Sequence, residues 1–488
     1  MLNLIPLPAS VTLHNGKFTL GPQTAIYVAP GQRELRRIGQ YLADCLHPAS
    51  GYGLPVKPSN GPNSGIFLTT DGARTDLGEE GYELLVQPEQ ILLRAPQPAG
   101  LFHGVQTIRQ LLPPAIEMRS LQPGPWQMDC VTIRDVPRFS WRGAMLDVAR
   151  HFFTVEEVER LIDHLAYYKF NILHLHLTDD QGWRLMIRSW PKLAEYGGST
   201  AVKGDRGGYY TQDDYREIIE YAGARYITIV PEVDMPSHIN AALASYPELN
   251  DSGQAPPLYT GTEVGFNSLS VRKDVTYKFL EEVIREVAAL TPGPYLHIGG
   301  DEAHSTPEAD YKIFIERIQK IVRAQGKQCI GWEEIIKAEL LPDTIVHYWW
   351  QAPLAQRAAR NGNRLIFSPA SKSYLDMKYD VSTPLGQFWT MNYIDVKDAY
   401  DWDPAGLQEG VEESAILGVE APLWTETIVT EGDMDFMFFP RLTACAEIGW
   451  TPREKRHWAE YRQRLANHGP RLAGMGSNFY KSSQVGWE

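Results

Sequence analysis

From residue 141 onward, short apolar runs alternate with stretches whose apolar residues recur at spacings of three and four. The runs at 142–146, 171–177, 227–232, 295–299, 328–332, 345–349, 364–368 and 416–420 predict buried strands. The stretches at 154–169, 211–225, 274–290 and 307–325 predict amphipathic helices. Strands alternating with helices in this number predict an α/β fold, a (β/α)8 TIM barrel. The fifth and seventh units depart from the pattern: only a brief helical stretch follows Trp332, and 372–410 is a long loop rich in Tyr, Trp and Asp. A doubly wound open sheet is the alternative, but the segments lack its Gly-rich phosphate turn. Ahead of the barrel, strands at 24–28, 65–69, 82–86 and 90–94 with helices at 33–46 and 100–112 predict a small α+β domain with an antiparallel sheet. A Pro-rich stretch at 112–125 leads out of it. The expected division is therefore 1–136 for the α+β domain and 137–488 for the barrel with its C-terminal helices.

Composition narrows the class. With 43% hydrophobic and 22% charged residues in 488, the chain can bury a sizeable core, which excludes wholesale disorder, collagen and coiled coil. Acids outnumber bases 60 to 46, a formal net charge of −14, so phosphate backbones and anionic lipid are repelled and neither nucleic acid nor membrane is an expected partner. Thirteen Trp and 24 Tyr suit a rich core or, more pointedly, a carbohydrate site, since aromatic planes cover the flat C–H faces of sugars. Cys45, Cys130, Cys329 and Cys445 lie far apart with no CxxC spacing and read as buried thiols. The opening MLNLIPLPAS carries neither a basic nor an apolar signal region, and no run is long enough to span a bilayer, so a cytoplasmic location is expected.

The ends of the barrel strands carry the chemistry. Reading outward from each gives Asp147 with Arg150, Asp179-Asp180, Asp234 with His238, Asp301-Glu302, Trp332-Glu333, Trp349-Trp350, Tyr374 with Asp376, and Trp424 with Glu426. Active sites of such barrels are built at the C-terminal strand ends, and nearly every strand delivers an acid or an aromatic there. In HIGGDEAH (297–304), two glycines allow a tight turn and close ligand approach, and two adjacent acids have their pKa values pushed apart into a proton donor and a charge stabiliser. The competing reading is a solvated helix N-terminus. Arg150 is placed to fork around vicinal hydroxyls or to pair with a rim acid. Trp332, Trp349 and Trp424 converge only if the barrel closes; otherwise they are core. His174 and His176 alternate onto one strand face, as in metal-dependent barrel hydrolases or as packed histidines, with Asp179 and His238 as further ligands in the first case. No HExxH is present, no coordination set is complete, and neither metal nor cofactor is expected.

At this point the residues resemble a known family. LDVARHF, HLHLTDDQGWR and WPKLAEYGG within 141–199, then PEVDMPSH, HIGGDE, GWEE, YWW, SYLD and EAPLWTE, are similar in order to glycoside hydrolase family 20, the β-N-acetylhexosaminidases, and the front domain resembles that family's N-terminal domain. The resemblance implies an exo-acting, retaining hydrolase of terminal β-linked GlcNAc or GalNAc. Glu302 would be the general acid and then base; the substrate's 2-acetamido carbonyl would be the nucleophile, forming an oxazolinium ion. Asp301 would orient the acetamido N–H and Tyr374 would hydrogen-bond its carbonyl oxygen. Trp332, Trp349 and Trp424 would box the methyl and the ring. Arg150, Asp376 and Glu426 would hold hydroxyls, and Trp389 and Tyr400 would meet the aglycone. Asp179 and His238 would back Glu302. Ser237, where the family more often has Gly, departs from the pattern beside His238. Rival readings are a catalytically silent sugar-binding barrel, a metal-dependent hydrolase, and a glycosidase with its own nucleophile.

Overall fold

The computed structural model describes residues 2–61 and 64–487, which divide into two compact units. One comprises residues 141–164 and 170–438. Its eight parallel strands, Trp141–Asp147, Ile172–His176, Thr228–Glu232, Tyr295–His297, Gln328–Trp332, Ile345–Tyr348, Leu365–Phe367 and Ile416–Leu423, close into a barrel in chain order, the eighth pairing with the first. Each expected strand is present with ends moved by a few residues. Helices Gln212–Gly223, Asp274–Leu290 and Glu308–Ala324 follow three of the strands. After the fifth strand comes the 3-10 turn Glu333–Lys337, and after the seventh a long segment holds the short helices Val396–Tyr400 and Pro404–Leu407 and the 3-10 turn Glu413–Ala415.

Strand register stacks the barrel interior in layers. Trp141, Ile172, Val230, Ile330, Ile345 and Ile366 form an apolar cluster towards the strand N-termini. Higher up, Asp147 pairs with His176, His176 with Glu232, and Glu232 with His297, so a polar layer lies at one height just below the C-terminal rim. Period-two alternation explains the inward direction of both His174 and His176.

The other unit comprises residues 1–140, 165–169 and 439–488. Its seven-stranded sheet is mixed, which corrects the expected antiparallel sheet. Ile26–Val28, Val56–Pro58, Gly65–Thr69 and Gln90–Arg94 pair in parallel, whereas Ser10–Leu20, Trp126–Asp135, Tyr82–Val86 and Gln90–Arg94 pair antiparallel. The reason is the helix Arg33–Ser50 between Ile26–Val28 and Val56–Pro58: a helical crossover returns the chain in the same direction. Residues 439–488, expected with the barrel, group here. Asp135 accepts from Tyr82 (2.7 Å), Lys169 (3.0 Å) and the Trp450 indole (2.8 Å), a buried knot joining sheet, residues 165–169 and the C-terminal helices within the unit.

Candidate active site

The fourth barrel strand runs into Gly299-Gly300-Asp301-Glu302. Gly299 has φ +64°, and a Cβ there would fall 1.7 Å from Asp234 Oδ1; at Gly300, φ +97°, it would fall 2.7 Å from Ile335 Cγ2. Both positions need glycine for conformation and for space. Asp234 Oδ1 accepts the Gly300 N–H at 3.1 Å, and Tyr311 donates to the Gly300 carbonyl at 2.6 Å, so the turn is held from two sides. Glu302 has φ +46° and His238 φ +54°, left-handed backbone that side-chain-bearing residues rarely adopt and that clusters at functional sites.

These two residues meet. His238 Nε2 lies 3.4 Å from Glu302 Oε2 and 3.7 Å from Asp301 Oδ2, and its Nδ1 faces Asp179 Oδ1 at 3.2 Å. Burial disfavours the His238 cation, but Asp179 and Asp301 outweigh it and hold the imidazole pKa well above its ordinary value. Burial raises the Asp301 carboxyl to about 6; His238 opposes the rise and the Glu302 charge adds to it. Burial also pushes Glu302 up, yet the hydrogen bond and charge of His238, with Arg150 behind, win and keep it below the usual glutamate range. In the free protein, therefore, Glu302 is a carboxylate beside an imidazolium. Ser237 does not disturb this pairing: its hydroxyl donates to the Asn267 carbonyl at 3.0 Å and braces the segment that carries His238.

Arg150 is buried, bonded to Asp179 Oδ2 at 2.8 Å and to Asp147 Oδ2 at 3.3 Å, with its guanidinium 4.8 Å over the Trp424 ring. Asp147 also accepts the backbone N–H groups of Ala149, Arg150 and Thr425, which locks the first and eighth strand ends together. The pairing expected as the alternative for Arg150 thus exists alongside its place on the pocket wall. Its Nε has no hydrogen-bond partner among the described residues, and neither do Asp301 Oδ1 and Glu426 Oε2.

Aromatic rings close the pocket. Trp349 and Tyr374 stack at 6.2 Å and 20°, Trp389 stands edge-on to both at 6.0 Å, and Tyr374 lies 6.3 Å from Trp424. Trp349 is fixed by its indole N–H on Glu334 (3.2 Å) and its backbone N–H on Glu333 (2.9 Å). Burial holds Tyr374 well above the ordinary phenol range, so its proton stays in place. The resulting pocket of about 300 Å³ is lined by ten of the thirteen expected residues: Asp301, Glu302, Tyr374, Arg150, Trp349, Asp376, Trp389, Trp424, Glu426 and His238. Trp332 is not among them. At 1% exposure it lies beneath, 5.9 Å from Trp424 and stacked on His347 at 4.2 Å, so it supports the box without forming its surface. Asp179 likewise sits behind the wall.

Comparison with known proteins gives this geometry a relationship. The model of the glycosyl hydrolase family 20 catalytic domain matches residues 139–312 and 304–453, and that of the family's domain 2 matches residues 1–136. The chain belongs to glycosyl hydrolase family 20. Among its family 20 relatives, a β-N-acetylhexosaminidase of Cellulomonas fimi is 39% identical over 99% of this chain and 97% of the relative. The β-N-acetylhexosaminidase of Streptomyces coelicolor A3(2) superposes with TM-score 0.97 at 53% identity, over 100% of this chain and 99% of that one. A mutant β-hexosaminidase of Streptomyces plicatus, in complex with the product GlcNAc, gives the same TM-score and identity over 100% and 98%.

Within this family 20 site, the sequence reading missed Gln387, Thr262 and Val264, which also line the pocket. Gln387 reaches Glu426 from the long 372–410 segment, where no periodicity or motif marks it. Tyr400 is corrected in the other direction: it is buried at the end of its short helix and does not line the pocket. His174 and His176 are inward and buried, paired with Glu420 (2.8 Å) and Glu232 (2.6 Å). Triads such as His174–Glu232–His297 and His238–Asp301–Glu302 bring ligand atoms within 4.8 Å of one another, the only kind of arrangement here suited to a cation among the described residues.

Proposed function

We propose that this family 20 glycoside hydrolase is an exo-acting, retaining β-N-acetylhexosaminidase that removes terminal β-linked GlcNAc or GalNAc. One observation carries the reading: Asp301 Oδ1, Arg150 Nε and Glu426 Oε2, buried polar atoms with no partner among the described residues, belong to one aromatic-walled pocket beside a glutamate paired to histidine. Buried polar groups are normally satisfied, so these atoms call for a small ligand with several hydroxyl and amide groups. The GlcNAc held by the Streptomyces plicatus relative is such a ligand.

The chemistry follows from the positions. A sugar entering the pocket covers Glu302, whose side chain is 28% exposed, and desolvation draws a proton from His238 onto it. Glu302 then gives that proton to the glycosidic oxygen as the C1–O bond breaks. The acetamido carbonyl oxygen attacks C1 and closes an oxazolinium ring. Asp301, ionised, accepts the acetamido N–H and stabilises its growing positive charge, while the Tyr374 hydroxyl steadies the carbonyl oxygen. The tethered nucleophile benefits from effective concentration. Glu302, now a carboxylate, takes a proton from water as its oxygen attacks C1, giving net retention. Arg150, Asp376 and Glu426 hold hydroxyls at the closed end, Trp349 and Trp424 cover the sugar from the sides with Trp332 under them, and Trp389 at the mouth meets the aglycone. Asp179 keeps His238 oriented. A cytoplasmic location belongs to the same reading, supported by the four free thiols.

Hydrolysis of paired chromogenic aryl β-glycosides, the 2-acetamido-2-deoxyglucoside and the plain glucoside, tests the reading. Turnover of the first alone is expected. Comparable turnover of both removes the substrate-assisted step, and no turnover of either favours a silent sugar-binding barrel.

A further inference from the structure

Beneath the pocket, the barrel core holds His174, His176, His297, His347, Glu232 and Glu420, all buried and none used by the mechanism above. Most (β/α)8 interiors are filled by Val, Ile and Leu, as the apolar layer below is here. Buried ion pairs seldom stabilise a fold more than apolar residues of similar volume would, so this layer invites a functional account.

Glu232 stands at its junction. Its Oε1 accepts the Trp332 indole N–H at 2.8 Å, and its Oε2 accepts from His176 Nδ1 at 2.6 Å. His174 Nε2 lies 3.0 Å from Oε2, and His297 Nδ1 lies 3.0 Å from Oε1. His176 continues through Nε2 to Asp179 Oδ2 at 2.9 Å, the same carboxylate that holds Arg150 at 2.8 Å and His238 at 3.2 Å. One carboxylate therefore touches both the ring supporting the sugar box and the first link of a path ending at Glu302.

We infer that Glu232, at the end of the third barrel strand, is a positioning residue of the reaction, fixing Trp332 with one oxygen and the His176–Asp179–His238 path to Glu302 with the other. The inference rests on the hexosaminidase reading. A glutamate offers acceptor oxygens in two directions, and a glutamine offers one oxygen and two donors. Glu232→Gln, nearly the same shape, can still accept from Trp332, but it offers His176 Nδ1 a donor in place of an anionic acceptor, so that link survives only with a neutral imidazole protonated at Nε2.

The charges around it set the pH consequence. Glu232 is faced by His174 and His176 from the second strand, His297 from the fourth and Trp332 from the fifth; Asp234 follows on its own chain, Asp147 faces His176 from the first strand, and Glu420 lies beyond His174 on the eighth. Without the Glu232 anion, His176 loses one of the two carboxylates that hold it charged, Asp179 being the other. Asp301 then loses the Glu232 anion, whose charge acts on it more strongly than that of His176, so its carboxyl gives up its proton more readily.

The test compares kcat and kcat/KM across pH for the wild-type enzyme, Glu232→Gln, Glu232→Asp and His176→Gln. Each is assayed on an aryl 2-acetamido-2-deoxy-β-glucoside with a poor leaving group and on one with a good leaving group. For Glu232→Gln the expected result is a kcat loss of about 10- to 100-fold on the poor leaving group, a smaller loss on the good one, and an acidic limb, set by Asp301, moved down by roughly half a unit to one unit. Glu232→Asp, keeping two anionic oxygens, returns the limb towards wild type. His176→Gln cuts the path while leaving Glu232 on Trp332, so it shows the leaving-group dependence with KM little changed; it decides the matter should Glu232→Gln fail to fold. Equal losses on both leaving groups with an unmoved limb, or wild-type kinetics in either glutamine variant, overturn the inference. Wild-type turnover of the same substrates tests the hexosaminidase reading separately.

Discussion

Replacing Tyr374 by Phe isolates one proton of the proposed mechanism. The ring is buried and stacked on Trp349 at 6.2 Å and 20°, and it meets Trp389 edge-on at 6.0 Å, contacts a phenylalanine keeps. What disappears is the hydroxyl. Burial holds its proton firmly on, so the hydroxyl is a donor for the carbonyl that attacks C1. That carbonyl oxygen gives electron density to C1 as the ring closes, so the O–H bond acts by aiming the oxygen at C1 and not by stabilising charge on it.

The expected cost follows. Without the hydroxyl the tethered carbonyl loses its aim, and a misplacement of about 1 Å at the reacting atoms costs about a hundredfold in kcat. Steady-state kinetics on an aryl 2-acetamido-2-deoxy-β-glucoside at saturating substrate is the assay. Expected is a kcat lower by about a hundredfold with KM changed little. A loss below about tenfold, or a loss confined to KM, refutes the assignment, since the hydroxyl would then serve ground-state binding alone.

Other expectations concern neighbouring groups. Glu302→Gln lowers the rate by at least about a hundredfold on poor leaving groups and less on good ones, which need little protonation; equal losses contradict the acid role. Asp301 must be ionised, and its pKa is raised to about 6, so kcat/KM rises with pH through about 6; a pH–rate profile with its acidic limb near the ordinary aspartate value counts against this. Asp301→Asn removes that limb, and added azide yields no β-azide, because no enzymic nucleophile site is vacated; chromatography of the products checks it. Gly299→Ala forces a Cβ to within 1.7 Å of Asp234 Oδ1 at φ +64°, displacing the turn and costing about a hundredfold or more in kcat, with Gly204→Ala, in open space at φ +79°, as the control that spares it.

The barrel was legible because its strands are almost wholly buried, so each is a short, mainly apolar run, and because the runs lead into residues with chemical purpose. The antiparallel edge of the other sheet was not. Ser10–Leu20 has only Phe18 and Leu20 buried, so it carries almost no apolar alternation, and Trp126–Asp135 alternates but directly follows the Pro-rich stretch. In the site, residues on strand ends were found and residues on irregular segments were not: Gln387, Thr262 and Val264 stand where the chain has no period to read. Trp332 shows the opposite limit. Position at a strand end identifies a rim residue but not its depth, and depth here follows from the Glu232 bond that draws the indole inward.

The backbone also says which features of the site are imposed and which are induced. His238 and Glu302, 3.4 Å apart, both occupy left-handed backbone at a cost of order 1–3 kcal/mol each, and a single side-chain contact between them cannot sustain two such conformations. The surroundings hold each one separately. Asp234 and Tyr311 clamp the turn before Glu302, while Asp180 accepts from Asn240 and Asn267, and Asn267 in turn accepts from Ser237 and Ile239 around His238. The geometry of the pair therefore precedes substrate. Its protonation does not: the free site places the proton on the imidazole, and only desolvation by a bound sugar moves it to the carboxyl that needs it. Preorganised positions joined to a proton that waits for the ligand make the acid available when a glycosidic oxygen is there to receive it, and keep Glu302 ionised when the pocket holds only water.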